Sequence, residues 1–188
     1  MTQTETRTVK VLVLGIGNLV MSDDGAGVRV VQGLQRNYRF PAAVRLLDGG
    51  TLGLDLLPEL EGLDILIVID AVETGLEAGS CVRLEGEALP IALETKISPH
   101  QMGLKDLLAV ARLMGHSPKE MVLLGIQPAC IEMDVELTPA VSAKLGELHQ
   151  MVLDELGAFG YPGVPLMQVS SSSQGHYHRS PSCTQPNP

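Results

Sequence analysis

Ile65 to Ile69 (ILIVI) is an unbroken apolar run, β-branched at four of its five positions, that ends on Asp70. It leaves no polar side for water. A strand apolar on both faces belongs inside a sheet covered by helices on both sides, the pattern of parallel α/β folds. Ligands of open parallel sheets bind at the carboxyl ends of the strands. Asp70 is therefore expected at a functional edge, either capping a helix or serving a site. Glu73-Thr74-Gly75 opens a loop and not a helix, which favours the site.

A second unit of the same kind lies at Val9 to Val31, VKVLVLGIGNLVMSDDGAGVRVV. The apolar residues Val9 to Leu14 break at Gly15-Ile16-Gly17-Asn18, and Gly27, Val30, Val31 and Leu34 then recur at helical spacing. This predicts strand, tight turn and helix, with Asp23 and Asp24 in the turn. One carboxylate is explained as an N-cap facing the positive end of the helix dipole. A second is repelled by the first and needs another duty, as ligand or acid/base group. Gly15 and Gly17 begin a G-x-G-x-x-G pattern, but Val20 occupies its third position. Two acids where a pyrophosphate would approach oppose a nucleotide site.

The remaining chain supplies the other elements. Ala43 to Leu47 reads as a strand stopped by the turn cluster Asp48-Gly49-Gly50-Thr51, and Leu52 to Leu60 as a short helix marked by Pro58. Ser80 to Leu84 reads as an edge strand, and Met121 to Ile126 as a fifth strand. Ser98-Pro99-His100-Gln101 combines an N-cap, a first-turn proline and a capping-box glutamine. The helix it opens buries Leu104, Leu107, Leu108 and Ala111 and stops at Gly115. Its dipole disfavours a charged His100, and a neutral imidazole is what a metal ligand requires. Thr138-Pro139 opens a last helix with Val141, Leu145, Leu148 and Val152 on one face, leaving His149 on the solvated side. No internal repeat is found.

The fold class expected is α/β: three layers, a mostly parallel twisted sheet of about five strands, and helices on both faces. Residues 1–160 form a single domain, and residues 161–188, rich in Ser and Pro, form a disordered tail. His176-Tyr177-His178 lies in that tail and is given no function. A net charge of -9 and 3% aromatic content argue against nucleic acid as a partner. No apolar run reaches the length of a membrane span and the leader is polar, so the expected location is the cytoplasm. Cys81, Cys130 and Cys183 are odd in number and widely spaced, which suggests neither disulfides nor a cysteine zinc site. The first two read as small core residues.

Asp24, Asp70 and His100 thus arrive from three strand-to-helix connections at one edge of one sheet. Two carboxylates and an imidazole suit a divalent ion of borderline softness, zinc, nickel, iron or manganese, with positions left open. No serine or cysteine nucleophile stands beside a histidine: Ser98 reads as a cap, and Ser22 has no base.

Four blocks in order, LVLGIGNLVMSDDGAGVRVV, LLDGGT, IVIDAV and KISPHQMGL, resemble the hydrogenase maturation proteases, most of all the branch serving membrane-bound and uptake enzymes. The resemblance runs from about Lys10 to Leu156. It implies an endopeptidase that removes the C-terminal extension from the large-subunit precursor of a nickel–iron hydrogenase. It implies that Asp24, Asp70 and His100 meet nickel supplied by that precursor, without an organic cofactor. Members carry Asp or Glu at the first of these positions; here it is Asp24, the shorter acid. The resemblance further implies substrate recognition by Asp48, Gly49 and Gly50. Two other readings stand beside it: a non-catalytic nickel checkpoint or chaperone using the same triad, and a nucleotide-binding α/β protein using Gly15 and Gly17.

Overall fold

A computed structural model describes residues 10–86 and 99–166, the side chains of residues 99–102 excepted. In chain order its strands are β1 (Val11–Ile16), β2 (Tyr38–Arg39), β3 (Val44–Gly50), β4 (Ile65–Ala71), β5 (Cys81–Glu85), β6 (Glu120–Ile126) and β7 (Val164–Pro165). Its α-helices are α1 (Ala26–Asn37), α2 (Pro99–Leu113), α3 (Pro139–Ser142) and α4 (Leu145–Ala158). Five strands form one sheet in the order β3-β1-β4-β6-β5, and β2 pairs with β7 in a separate ribbon. β1, β3, β4 and β6 run parallel, and β5 runs antiparallel at the edge. This is the mostly parallel α/β architecture that the doubly apolar Ile65–Ile69 run demands.

The sheet divides two apolar layers. On one face Val30, Val31 and Leu34 of α1 and Leu148, Val152 and Leu156 of α4 pack with Val13, Ile67, Ile69 and Leu124. On the other, Leu104, Leu107 and Ala111 of α2 join Leu56 and Leu60 against Leu12, Leu14, Leu66, Val68 and Leu123. Alternate residues of one strand feed opposite layers, so β1 and β4 are buried along their whole length. Each large side chain so removed from water contributes about 1.5–3 kcal/mol.

Several local expectations are corrected. Asp48, Gly49 and Gly50 extend β3, because Gly17 N–H continues the pairing by donating to Gly50 O at 3.0 Å. Gly53–Leu60 is a 3-10 helix and not an α-helix. The last helix is two, α3 and α4, separated where Lys144 N–H turns back to Val141 O at 3.0 Å. His149 is not solvated: its Nδ1 lies 2.7 Å from Leu145 O, and its ring is half-buried against Gly33 of α1. Cys130 lies half-buried in the loop after β6 and not in the core, whereas Cys81 does pack against the apolar layer. The capping-box serine Ser98, Cys183 and the tail beyond residue 166 lie outside the described residues. Among those described, no helix is long and apolar enough to cross a membrane.

Candidate active site at the carboxyl edge of the sheet

Asp24 and Asp70 are both fully buried. They are brought to one place by the joint between α1 and the two central strands. Gly15 of β1 is level with Ile69 of β4, and the first turn of α1 sits directly on both strand tips. A Cβ on Gly27 would lie 2.1 Å from Ile69 O and 2.5 Å from Ile16 O, so only glycine permits this approach. Asp24 precedes that contact by three residues, within the 3-10 turn Ser22–Gly25. Asp70 follows Ile69 directly. One correction applies: Asp70 lies inside β4, and the connection beyond it leads to the antiparallel β5 and not to a helix.

His100 belongs to the first turn of α2. That turn reaches the same edge from the opposite face of the sheet. Gly103 rests on the backbone of Gly53, just beyond β3; a Cβ on Gly103 would lie 2.9 Å from Gly53 Cα. The backbone therefore delivers two acids and the histidine-bearing turn to one end of the sheet. Among the described residues, which exclude the His100 side chain, no three His, Cys, Asp or Glu groups converge on a metal position.

The adjacent acids of the turn have separate duties. Asp23 is not a helix cap. Its Oδ1 accepts Thr138 N–H at 2.7 Å, and its Oδ2 accepts Ala129 N–H at 2.9 Å, Cys130 N–H at 3.1 Å and Thr138 Oγ–H at 2.9 Å. A buried carboxylate is tolerated only when so bonded, and hydrogen bonds to a charged group contribute about 1.5–3 kcal/mol each. Asp23 thereby fixes the 127–138 connection beside the turn. Ser22 completes the clamp: its N–H donates to Asp134 O at 2.7 Å and its hydroxyl to Glu136 O at 3.0 Å, with the backbone at φ +50°. Sequence reasoning missed this role, because every donor to Asp23 lies more than a hundred residues away.

Asp24 instead faces the turn, its Oδ2 accepting Asn18 N–H at 2.8 Å. Four more amides of the turn are engaged too. Gly17 donates to Gly50 O, Val20 to Asn18 Oδ1, Met21 to Asn18 O and Ser22 to Asp134 O. A phosphate cradle needs such N–H groups free, and here they are consumed internally, which removes the physical basis of the nucleotide-binding reading.

Two more contacts shape the edge. Gln127, buried at the end of β6, takes Thr74 N–H and Oγ–H on its Oε1 at 2.7 and 2.9 Å, and donates to Glu73 Oε1 at 3.0 Å. It thus ties down the connection that follows Asp70. Asp48 is exposed, accepting Gly50 N–H and the Gln32 amide, each at 3.1 Å. Gly49 beside it is buried and Gly50 adopts φ +47°.

Comparison with known proteins yields a consistent set. Residues 28–155 fit the family model described as hydrogenase maturation protease. The hydrogenase 2 maturation protease of Escherichia coli is 39% identical over 158 residues, covering 84% of this chain and 96% of that protein. The hydrogenase expression/formation protein HupD of Rhodobacter capsulatus is 44% identical over 153 residues, covering 80% and 73%. Among solved structures, the hydrogenase maturating endopeptidase HybD from E. coli superposes with a TM-score of 0.80 at 38% identity, covering 84% of this chain and 98% of that one.

Proposed function

This chain belongs to the hydrogenase maturation proteases, and from that premise we propose that it removes the C-terminal extension of the nickel-loaded large-subunit precursor of a nickel–iron hydrogenase. Asp24, Asp70 and His100 take open positions on the nickel that the precursor carries, and so dock the scissile bond. The observation that supports this most is the burial of Asp24 and Asp70 at the carboxyl end of two adjacent parallel strands, with the first turn of α2 at the same end of the sheet. Two carboxylates and an imidazole suit a borderline divalent ion but leave its coordination incomplete. Partial ligation makes docking conditional on a correctly loaded partner, so that cleavage also reports metal insertion.

In this reading nickel is part of the substrate and no organic cofactor takes part. Positive charge at the scissile carbonyl favours attack by water, and a carboxylate accepts the water's proton. The C–N bond then breaks as the carboxyl group returns that proton to the departing nitrogen, freeing the extension with a new amino terminus. Asp48, Gly49 and Gly50, on the neighbouring strand tip, help to recognise the substrate, and the reaction belongs to the cytoplasm.

The test mixes the purified protein with nickel-loaded and nickel-free precursor and follows the mass of the large subunit. Shortening of the loaded form alone is the expected result. Binding without shortening would instead make the protein a checkpoint, and equal cutting of both forms would remove nickel from the recognition step.

A further inference from the structure

Large apolar side chains left in water are unevenly placed on this molecule. Among the described residues ten are exposed, and six of them (Val20, Leu52, Leu54, Leu76, Met133 and Val135) lie on connections leaving the carboxyl ends of β1, β3, β4 and β6. These are the connections that surround Asp24 and Asp70. None of the segments 17–25, 51–60, 72–80 and 127–138 contains a Lys or Arg, while the last alone carries Glu132, Asp134 and Glu136. The edge is therefore apolar and acidic at once.

Its most prominent part is Glu132-Met133-Asp134-Val135-Glu136, exposed at every position, with Met133 86% exposed. A methionine so exposed is a projecting knob and not the wall of a groove. The backbone beneath it is held firmly. Asp134 N–H donates to Val20 O at 3.1 Å, Ser22 grips Asp134 O and Glu136 O, Arg29 donates from below to Val135 O, and Asp23 anchors both ends. Val20 thus pairs with Asp134, the residue next to the knob. Apolar side chains presented on a preorganised segment lose little conformational entropy on binding. In the centre of an interface such anchors contribute most of the affinity.

Resting on the function proposed above, we propose that the 132–136 segment and Val20 form a docking surface for the folded body of the protein substrate, distinct from the strand tips that engage the scissile segment. A knob inserts into a recess on a folded surface, whereas an extended peptide needs a groove to lie in. The alternating acids around the knob fit a recess rimmed by Lys or Arg. Such complementarity steers encounter and weakens with salt.

The test measures affinity of the full-length protein for purified nickel-loaded precursor, alongside cleavage of the same precursor. Leu113, 87% exposed at the far end of α2, provides a control of equal exposure on the opposite edge. Met133→Ser with Val135→Ser should weaken precursor binding roughly tenfold or more, raising KM while kcat changes little. Leu113→Ser should leave both unchanged. Glu132→Lys with Glu136→Lys should weaken binding and flatten its salt dependence. Unchanged affinity in the Met133/Val135 variant, with the wild type binding and cutting, overturns the docking surface and leaves the function standing. Binding that depends on Met133 without any cutting does the reverse. A wild type that fails to bind loaded precursor overturns both.

Discussion

At the amino edge of the sheet Asp64 lies between Lys10, at 3.5 Å, and Lys119, at 2.8 Å. Its backbone is shared as well, since Lys119 N–H and Glu120 N–H both donate to Asp64 O. At the carboxyl edge three aspartates, Asp23, Asp24 and Asp70, are fully buried, and the segments 17–25, 51–60, 72–80 and 127–138 carry no Lys or Arg. One edge balances its charge in solvent, where ion pairs contribute little. The other concentrates carboxyl groups inside, where every polar group must be held by specific bonds. The difference separates an edge that closes the fold with exposed ion pairs from one whose carboxyl groups are buried in the joint between α1 and the strands.

The largest effects are expected where the carboxyl edge is emptied of its chemistry. Asp70→Asn and His100→Ala should each reduce cleavage of nickel-loaded precursor on the order of 10^3-fold or more, with circular dichroism and Tm nearly those of the wild type. A collapse of Tm would turn these positions into structural ones and blur the contrast between the edges. Next in size is the division of labour between neighbouring acids. Asp23→Ala leaves the N–H groups of Ala129, Cys130 and Thr138 without their acceptor, and should cost about 3 kcal/mol by denaturant titration. Asp24→Asn keeps an oxygen for Asn18 N–H, and should cost about 1 kcal/mol or less while abolishing cleavage.

How much of this was legible along the chain follows from how far each signal reaches. The doubly apolar Ile65–Ile69 run sets the sheet type locally, and the spacing of Leu104, Leu107 and Ala111 sets the buried stripe of α2. Asp24 and Asp70 are legible as neighbours of one edge because parallel topology sends the ends of β1 and β4 there, whereas the His100 turn follows the antiparallel β5 and reaches that edge through the contact of Gly103 with Gly53. A cap is the local use for one acid of the Asp23-Asp24 pair, whereas the partners of Asp23 lie far along the chain at 129, 130 and 138. Helical spacing puts His149 on the solvated side, because it cannot show that Gly33 of another helix leaves room for its ring. The break between α3 and α4 was equally silent: Ala143 and Lys144 are good helix formers, and a single tightened turn, not composition, ends the helix.

A smaller effect probes the edge strand. Arg83 of β5 donates two hydrogen bonds to Glu155 of α4, at 2.7 and 2.8 Å. The Glu155 hydrogen bonds, followed by that to Glu85, keep the guanidinium charged by raising its pKa. Arg83→Met should cost about 1–2 kcal/mol by thermal melts, since the half-exposed arginine is screened while Glu155 is left nearly buried. The smallest is expected at the amino edge. The hydrogen bond from Lys119, opposed by desolvation and aided by the charge of Lys10, holds the Asp64 carboxyl below its usual value. Its contribution is complete above about pH 4 and fades as pH falls through the lower folded value. A Tm profile against pH for Asp64→Asn should therefore meet that of the wild type only under strongly acid conditions.

The Asp23 clamp also bears on synthesis. Residues 11–71 contain three adjacent strands of the sheet, and domains begin to assemble while the ribosome is still adding residues. Yet all donors to Asp23 are encoded between residues 129 and 138. A nascent chain shorter than that carries the acid without its partners. The working end of the molecule is therefore finished late in translation, and a truncated product should persist as an unfinished intermediate, not as a smaller enzyme.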